Sequence, residues 1–156
     1  MISIIIGFII GFINKSNGTL KQIIETKGFF INFYEIFIHN LWVAILIILL
    51  SFLIYIGGTF VVFSNFIIFG ESLYMAMNLS YKKTISIYLH GIFEIPAIII
   101  ALFISYSIST FLIKKLKDED FSVLNNFKKL KKHFIIMIIL FIIGATIESF
   151  TLNIML

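Results

Sequence analysis

The sequence predicts an all-α fold, a polytopic transmembrane helix bundle of about five spans with short interfacial amphipathic helices, and three observations predict it. Of the 156 residues, 60% are hydrophobic and 13% charged, and mean hydropathy is +1.10. The apolar residues fall into four long runs and one short one. Most charges are gathered between those runs. A soluble domain of this size cannot bury so large an apolar fraction and keep a wetted surface. A helix that crosses a bilayer needs about 20 mostly apolar residues. The chain therefore reads as one transmembrane domain, with spans near 1–13, 36–56, 59–78, 84–113 and 134–155 and a basic amphipathic loop at 114–133.

The first run, Met1 to Ile13, is apolar but short. It lacks the basic start and small-residue cleavage site of a signal peptide, so a thin first span is expected, or one whose beginning lies upstream. Gly7 and Gly11 stand four apart, on one helix face, where they permit close contact with another helix. In the polar stretch that follows, Thr19 and Gln22 have capping-box spacing, Leu20, Ile23 and Ile24 share a side, and Gly28 reads as a stop. A short interfacial helix is expected there. The second span carries Trp42 near its start and Tyr55 near its end, where amphipathic rings favour the water boundary. Gly57-Gly58 reads as a tight turn.

The third span is interrupted by Asn65, Gly70 and Glu71, which hydrocarbon tolerates only when protein covers them. The fourth segment is about 30 residues, or roughly 45 Å at 1.5 Å per residue, longer than the apolar layer. Pro96 is the only proline, and a proline inside a helix removes a hydrogen bond and clashes with the carbonyl four residues back. A kink or break is expected near Ile92 to Pro96, just after His90, Gly91 and Glu94. From Lys114 to His133 the chain is strongly charged, yet Phe121, Leu124, Phe127, Leu130 and Phe134 recur at steps of three or four. That pattern predicts a basic amphipathic helix on a headgroup surface, with Asp118, Glu119 and Asp120 at the positive end of its dipole. The last span contains Gly144, Glu148 and Asn153.

The net charge of +4 comes from lysine alone, without arginine. A lysine ammonium suits phospholipid headgroups better than planar recognition of a base, so no nucleic-acid partner is expected. With five crossings, seven lysines between Lys114 and Lys132 face one side and five the other, and positive-inside logic puts the seven in the cytoplasm. Anionic headgroups are the partner expected for that loop.

An ionisable residue inside a span costs at least about 2.5 kcal/mol on insertion scales. Glu71, Glu94 and Glu148 are therefore the leading candidates for a polar core, together with Asn40, Asn65, Gly70, Gly91 and Pro96. His90 and Glu94, four apart, share a helix face and can pair. Such a pair either packs the bundle together, as polar groups commonly do in membranes, or serves as a proton relay or ligand site. An enzyme is not expected. The histidines His39, His90 and His133 are widely spaced without a His-Glu-x-x-His run, and nucleophile-elbow and phosphate-loop motifs are absent. Without cysteine there is no thiolate nucleophile or Cys-type metal site. No cofactor or metal is expected.

The segment His90-Gly91-Ile92-Phe93-Glu94-Ile95-Pro96-Ala97 resembles the His-Gly-x-x-Glu-x-Pro-Ala signature of the stage II sporulation protein M family of multi-spanning membrane proteins. His39-Asn40-Leu41, Gly57-Gly58, Asn65 to Gly70 and Ile147-Glu148-Ser149-Phe150-Thr151 resemble further stretches of that family, in order and spacing over nearly the whole chain. Family members often carry a charged segment before the first span, whereas this sequence begins almost directly in apolar residues, and Leu152 stands where the family usually has a proline after the terminal threonine. The resemblance implies a scaffold rather than a catalyst. The sporulation member anchors two partners, one a peptidoglycan hydrolase, and compact relatives occur beside circular bacteriocin genes, tied to maturation, export or self-protection. It thus implies cell-envelope partners in the cell membrane, either a peptidoglycan hydrolase complex or bacteriocin export machinery. Homo-oligomerisation is left open.

Overall fold

The computed structural model describes residues 2–15, 28–53, 55–76, 88–117 and 123–154. Among them all regular structure is helical. α1 (Ile2–Lys15), α2 (Phe29–Leu49) and α3 (Ile56–Ala76) are followed by α4 (Gly91–Lys117) and α5 (Val123–Ile154), with a 3-10 turn at Leu50–Leu53 closing α2. Four of the helices are long and apolar enough to cross a membrane, and α1 is shorter. At 14 residues it reaches about 21 Å, against an apolar layer of about 30 Å.

α1 packs on α3, α4 on α5, and α2 lies against both α4 and α5. The side-chain pairs fix their directions. Ser109 of α4 meets Ser51 after α2, while Glu94 meets Asn40, so α2 and α4 run the same way. Tyr106 meets Thr59 while Tyr88 meets Ser72, so α3 runs against α4. α4 is the central helix. Ala97, Ala101, Ser105 and Ser109 recur every four residues and are fully buried, a stripe of small side chains that lets neighbouring helices approach closely. Phe141 of α5 and Ile47 of α2 fill the core beside it.

Several sequence expectations need correction. α2 begins at Phe29, not near Ile36. Gly28, expected to stop an interfacial helix, instead starts α2 with φ of 83°, and its carbonyl accepts the Asn32 N–H at 3.1 Å. Rings one turn apart carry the helix through this stretch: Phe33 and Phe37 stack with centroids 6.0 Å apart. Trp42 consequently lies well inside α2, exposed, and not at its start. The rest of the expected interfacial helix, with Thr19 and Gln22, lies outside the described residues.

Gly57 and Gly58 do not form the turn; both are inside α3. A Cβ on Gly57 would stand 2.7 Å from the Leu50 carbonyl oxygen, and one on Gly58 2.8 Å from Ser105 Oγ. The glycines serve close approach, and the left-handed residue is Tyr55, at φ 66°. A non-glycine residue there costs roughly 1–2 kcal/mol, which its contacts offset. Its hydroxyl pairs with Thr110 Oγ1 at 2.9 Å, its ring meets Tyr106 edge-on, and its N–H donates to Ser109 Oγ at 3.4 Å. Ser109 Oγ in turn donates to the Ser51 carbonyl at 2.7 Å. Ser109→Ala strips both buried backbone groups of their partner and is expected to cost about 1–3 kcal/mol, read as a lower midpoint of thermal unfolding in detergent micelles.

Pro96 does not break its helix. α4 runs unbroken through it, and the break in this segment lies upstream, at Leu89 and His90. Only the Ile92 carbonyl loses a helical donor to the proline. The turn is closed by bonds from Ile92 N–H to Leu89, and from Phe93 and Glu94 N–H to His90. The basic stretch is not a separate surface helix either. Its described part opens α5, which continues for 32 residues through the last span. The amphipathic pattern serves packing: Leu130 is buried and Phe127 meets the Phe111 ring of α4. The described helix is about 48 Å long, which lets exposed Lys128, Lys129, Lys131 and Lys132 project beyond an apolar layer. Asp118, Glu119 and Asp120 lie outside the described residues.

Candidate functional site

The site is assembled from one pair along the chain and two partners across it. The turn at Leu89–His90 starts α4 so that His90 and Glu94, four residues apart, project to the same side. His90 Nε2 stands 3.7 Å from a Glu94 carboxylate oxygen. α5, running against α4, brings Glu148 to the same imidazole nitrogen, again at 3.7 Å. α2 supplies Asn40, whose amide donates to the other Glu94 oxygen at 2.5 Å. All three titratable side chains are largely covered, at 12% exposure for His90, 16% for Glu94 and 27% for Glu148. The helix positions beside them are as closely fitted. A Cβ on Gly144 would lie 2.9 Å from Glu94 Cγ, so the glycine leaves the space that the glutamate occupies.

This cluster lines a cavity of about 420 Å³ between α2, α3, α4 and α5. Glu35 and His39 from α2, Asn65 and Ser72 from α3 and Gly91 from α4 complete its polar and small lining, with Phe66, Phe69, Ile95 and Ile98 among the apolar walls. No lysine among the described residues lines it. Glu94 and Lys117 lie at opposite ends of α4, about 35 Å apart along a helix of this rise. The site therefore sits at the opposite end of the bundle from Lys114, Lys115 and Lys117.

Of the residues singled out in the sequence, Asn40, Asn65, His90, Gly91, Glu94 and Glu148 meet around this cavity. Gly70 and Glu71 do not. Gly70 faces α1, where its Cα packs against the Ile4 carbonyl, and the Glu71 backbone adjoins Gly7 and Gly11. The third span thus joins the site through Asn65, which also donates to the Val61 carbonyl of its own helix at 3.1 Å, and not through its glutamate. Pro96, between the lining residues Ile95 and Ile98, is not part of the lining. Sequence reasoning missed Glu35 and Gly144 as site residues. A signal for Gly144 was available: it stands four residues before Glu148, the same step that links His90 to Glu94.

Long apolar helices with a polar cluster held between three of them define an integral membrane protein. The chain belongs to the stage II sporulation protein M family, whose model matches residues 1–151. No curated protein and no solved structure matches it.

Proposed function

We propose that the protein is a non-enzymatic membrane scaffold that positions protein partners at the bacterial cell envelope. Membership of the stage II sporulation protein M family supports the reading, and one observation carries it. Asn40, Glu94, His90 and Glu148 tie three helices together at one end of the bundle, while the Tyr55–Ser109 contacts tie the same central helix at the other. A bundle fixed at both ends holds its connecting segments at constant separation, which is what positioning partners requires. Its cell-membrane location is part of the same proposal, with the lysine-rich end at the anionic cytoplasmic surface.

The full chain, affinity-tagged in its native membranes and crosslinked, is expected to retain a peptidoglycan hydrolase or the anchor of one. Recovery of a bacteriocin precursor or an exporter instead overturns that assignment. The cavity beside His90 and Glu94 favours a second reading, a component of circular bacteriocin maturation, export or immunity that acts as a small transporter. In that case Glu94→Gln abolishes pH-dependent transport with assembly intact, and expression alone protects a sensitive host.

A further inference from the structure

Hydrogen bonding among His90, Glu94 and Glu148 does not account for their arrangement. His90 Nε2 lies 3.7 Å from an oxygen of each carboxylate, beyond the reach of an N–H···O bond. One donor atom from each of the three residues lies within 4.8 Å of the others. The three side chains are gathered at ion-pair distance, with no hydrogen bond between the imidazole and either carboxylate. Ligands about 2.0–2.2 Å from a tetrahedral zinc ion stand roughly 3.4 Å apart. The imidazole already has close to that separation from both carboxylates, and the two glutamate oxygens lie within 4.8 Å of each other.

We propose that His90, Glu94 and Glu148 bind a single divalent transition-metal cation of the zinc class, with its remaining coordination position toward the cavity. The donor set fits, because an imidazole selects first-row transition metals over magnesium and calcium, and carboxylates complete such a site. The charge fits as well. Two carboxylates share one imidazole, no lysine among the described residues lines the cavity, and an uncompensated carboxylate in apolar surroundings is costly. A divalent cation supplies the missing positive charge. The surroundings are those of a supported ligand: the Asn40 amide holds the Glu94 oxygen that the imidazole does not approach, as outer-shell partners orient metal-binding carboxylates. Gly144 confines the same side chain from α5. The spacing of histidines in the sequence hid this site, since its third ligand arrives from another helix.

The inference goes beyond the scaffold reading and is tested separately from it, on the purified full chain in detergent micelles stripped with chelator. Zn²⁺ is titrated against a chromophoric competitor, and Co²⁺ by its visible absorption. One Zn²⁺ per chain is expected, with affinity falling at least about tenfold in Asn40→Ala and further in Glu148→Gln and His90→Gln. His133→Gln, whose ring lies over Phe103 away from the site, should bind like the parent. Stoichiometry well below one, or binding unchanged in Glu148→Gln and His90→Gln, overturns the site. Where the ligand variants fail to fold, the parent's Co²⁺ spectrum decides: intense visible bands of a four-coordinate nitrogen and oxygen site support it, and their absence overturns it.

Discussion

Gly70→Leu is expected to detach α1 from α3. The two helices touch backbone to backbone at two points: Gly7 faces the Ile67 carbonyl, and Gly70 faces the Ile4 carbonyl. A side chain at either place meets a main-chain oxygen, which cannot rotate away as a flexible side chain can. Overpacking ordinarily costs about 1–3 kcal/mol because neighbours adjust; here the helices themselves must separate, so about 3 kcal/mol or more is expected. Phe8 and Phe12, whose rings meet Tyr74 edge-on, would lose their partner as well. The chain has no native cysteine, so cysteines placed at Phe8 and Tyr74 report the contact by crosslinking. Yield should collapse with Gly70→Leu and fall with Gly7→Leu. Gly91→Ala is the contrast, because a Cβ there would find only Phe69 at 3.8 Å and Ile95 at 4.0 Å. That variant should melt within about 0.5 kcal/mol of the parent. Undiminished crosslinking in Gly70→Leu would mean that the α1–α3 contact is not the one described.

Much of the fold was legible because a bilayer imposes a simple rule: long apolar runs become helices. The runs containing Ile45 to Leu50, Ile98 to Leu102 and Phe134 to Ile143 could be nothing else. What was not legible turned on local features with two uses. Gly57-Gly58 carries the composition of a turn, but the same missing side chains also allow two helices to touch, and only the placement of Leu50 and Ser105 decides between those uses. Pro96 carries the composition of a break. It sits early in α4, where the bonds from Ile92, Phe93 and Glu94 back to Leu89 and His90 have already established the helix, so one lost bond is absorbed.

The site divides in the same way. His90 and Glu94 could be paired from the sequence because helical spacing is a local property. The arrival of Asn40 and Glu148 depends on the direction and register of α2 and α5, which no single segment encodes. Glu71 shows the opposite error. Cost of insertion marked it as a residue needing cover, but insertion cost does not say which helix lies beside it. Its backbone adjoins α1, at Gly7 and Gly11, beside the close contact of Gly70 with Ile4.

Glu94→Ala is expected to destabilise the bundle more than loss of any other polar side chain. Asn40 then keeps a half-buried amide with no acceptor, and His90 keeps one carboxylate in place of two. An orphaned buried polar group costs about 1–3 kcal/mol, and the methylenes packed against Gly144 add a cavity. Glu94→Gln separates the contributions, since its carbonyl oxygen still accepts from Asn40 and its chain fills the same space. It should retain most of the stability and lose only what depends on charge. A double-mutant cycle with Asn40→Ala measures the contact itself. If Asn40 and Glu94 hold α2 against α4, unfolding free energies in micelles should show coupling of about 1–3 kcal/mol, and tagged Glu94→Ala should lose crosslinked partners together with stability. Additive losses would make the two side chains independent. Wild-type melting and partner retention in Glu94→Ala would remove the structural role of the cluster, because a side chain covered by three helices cannot be dispensable if it holds them together.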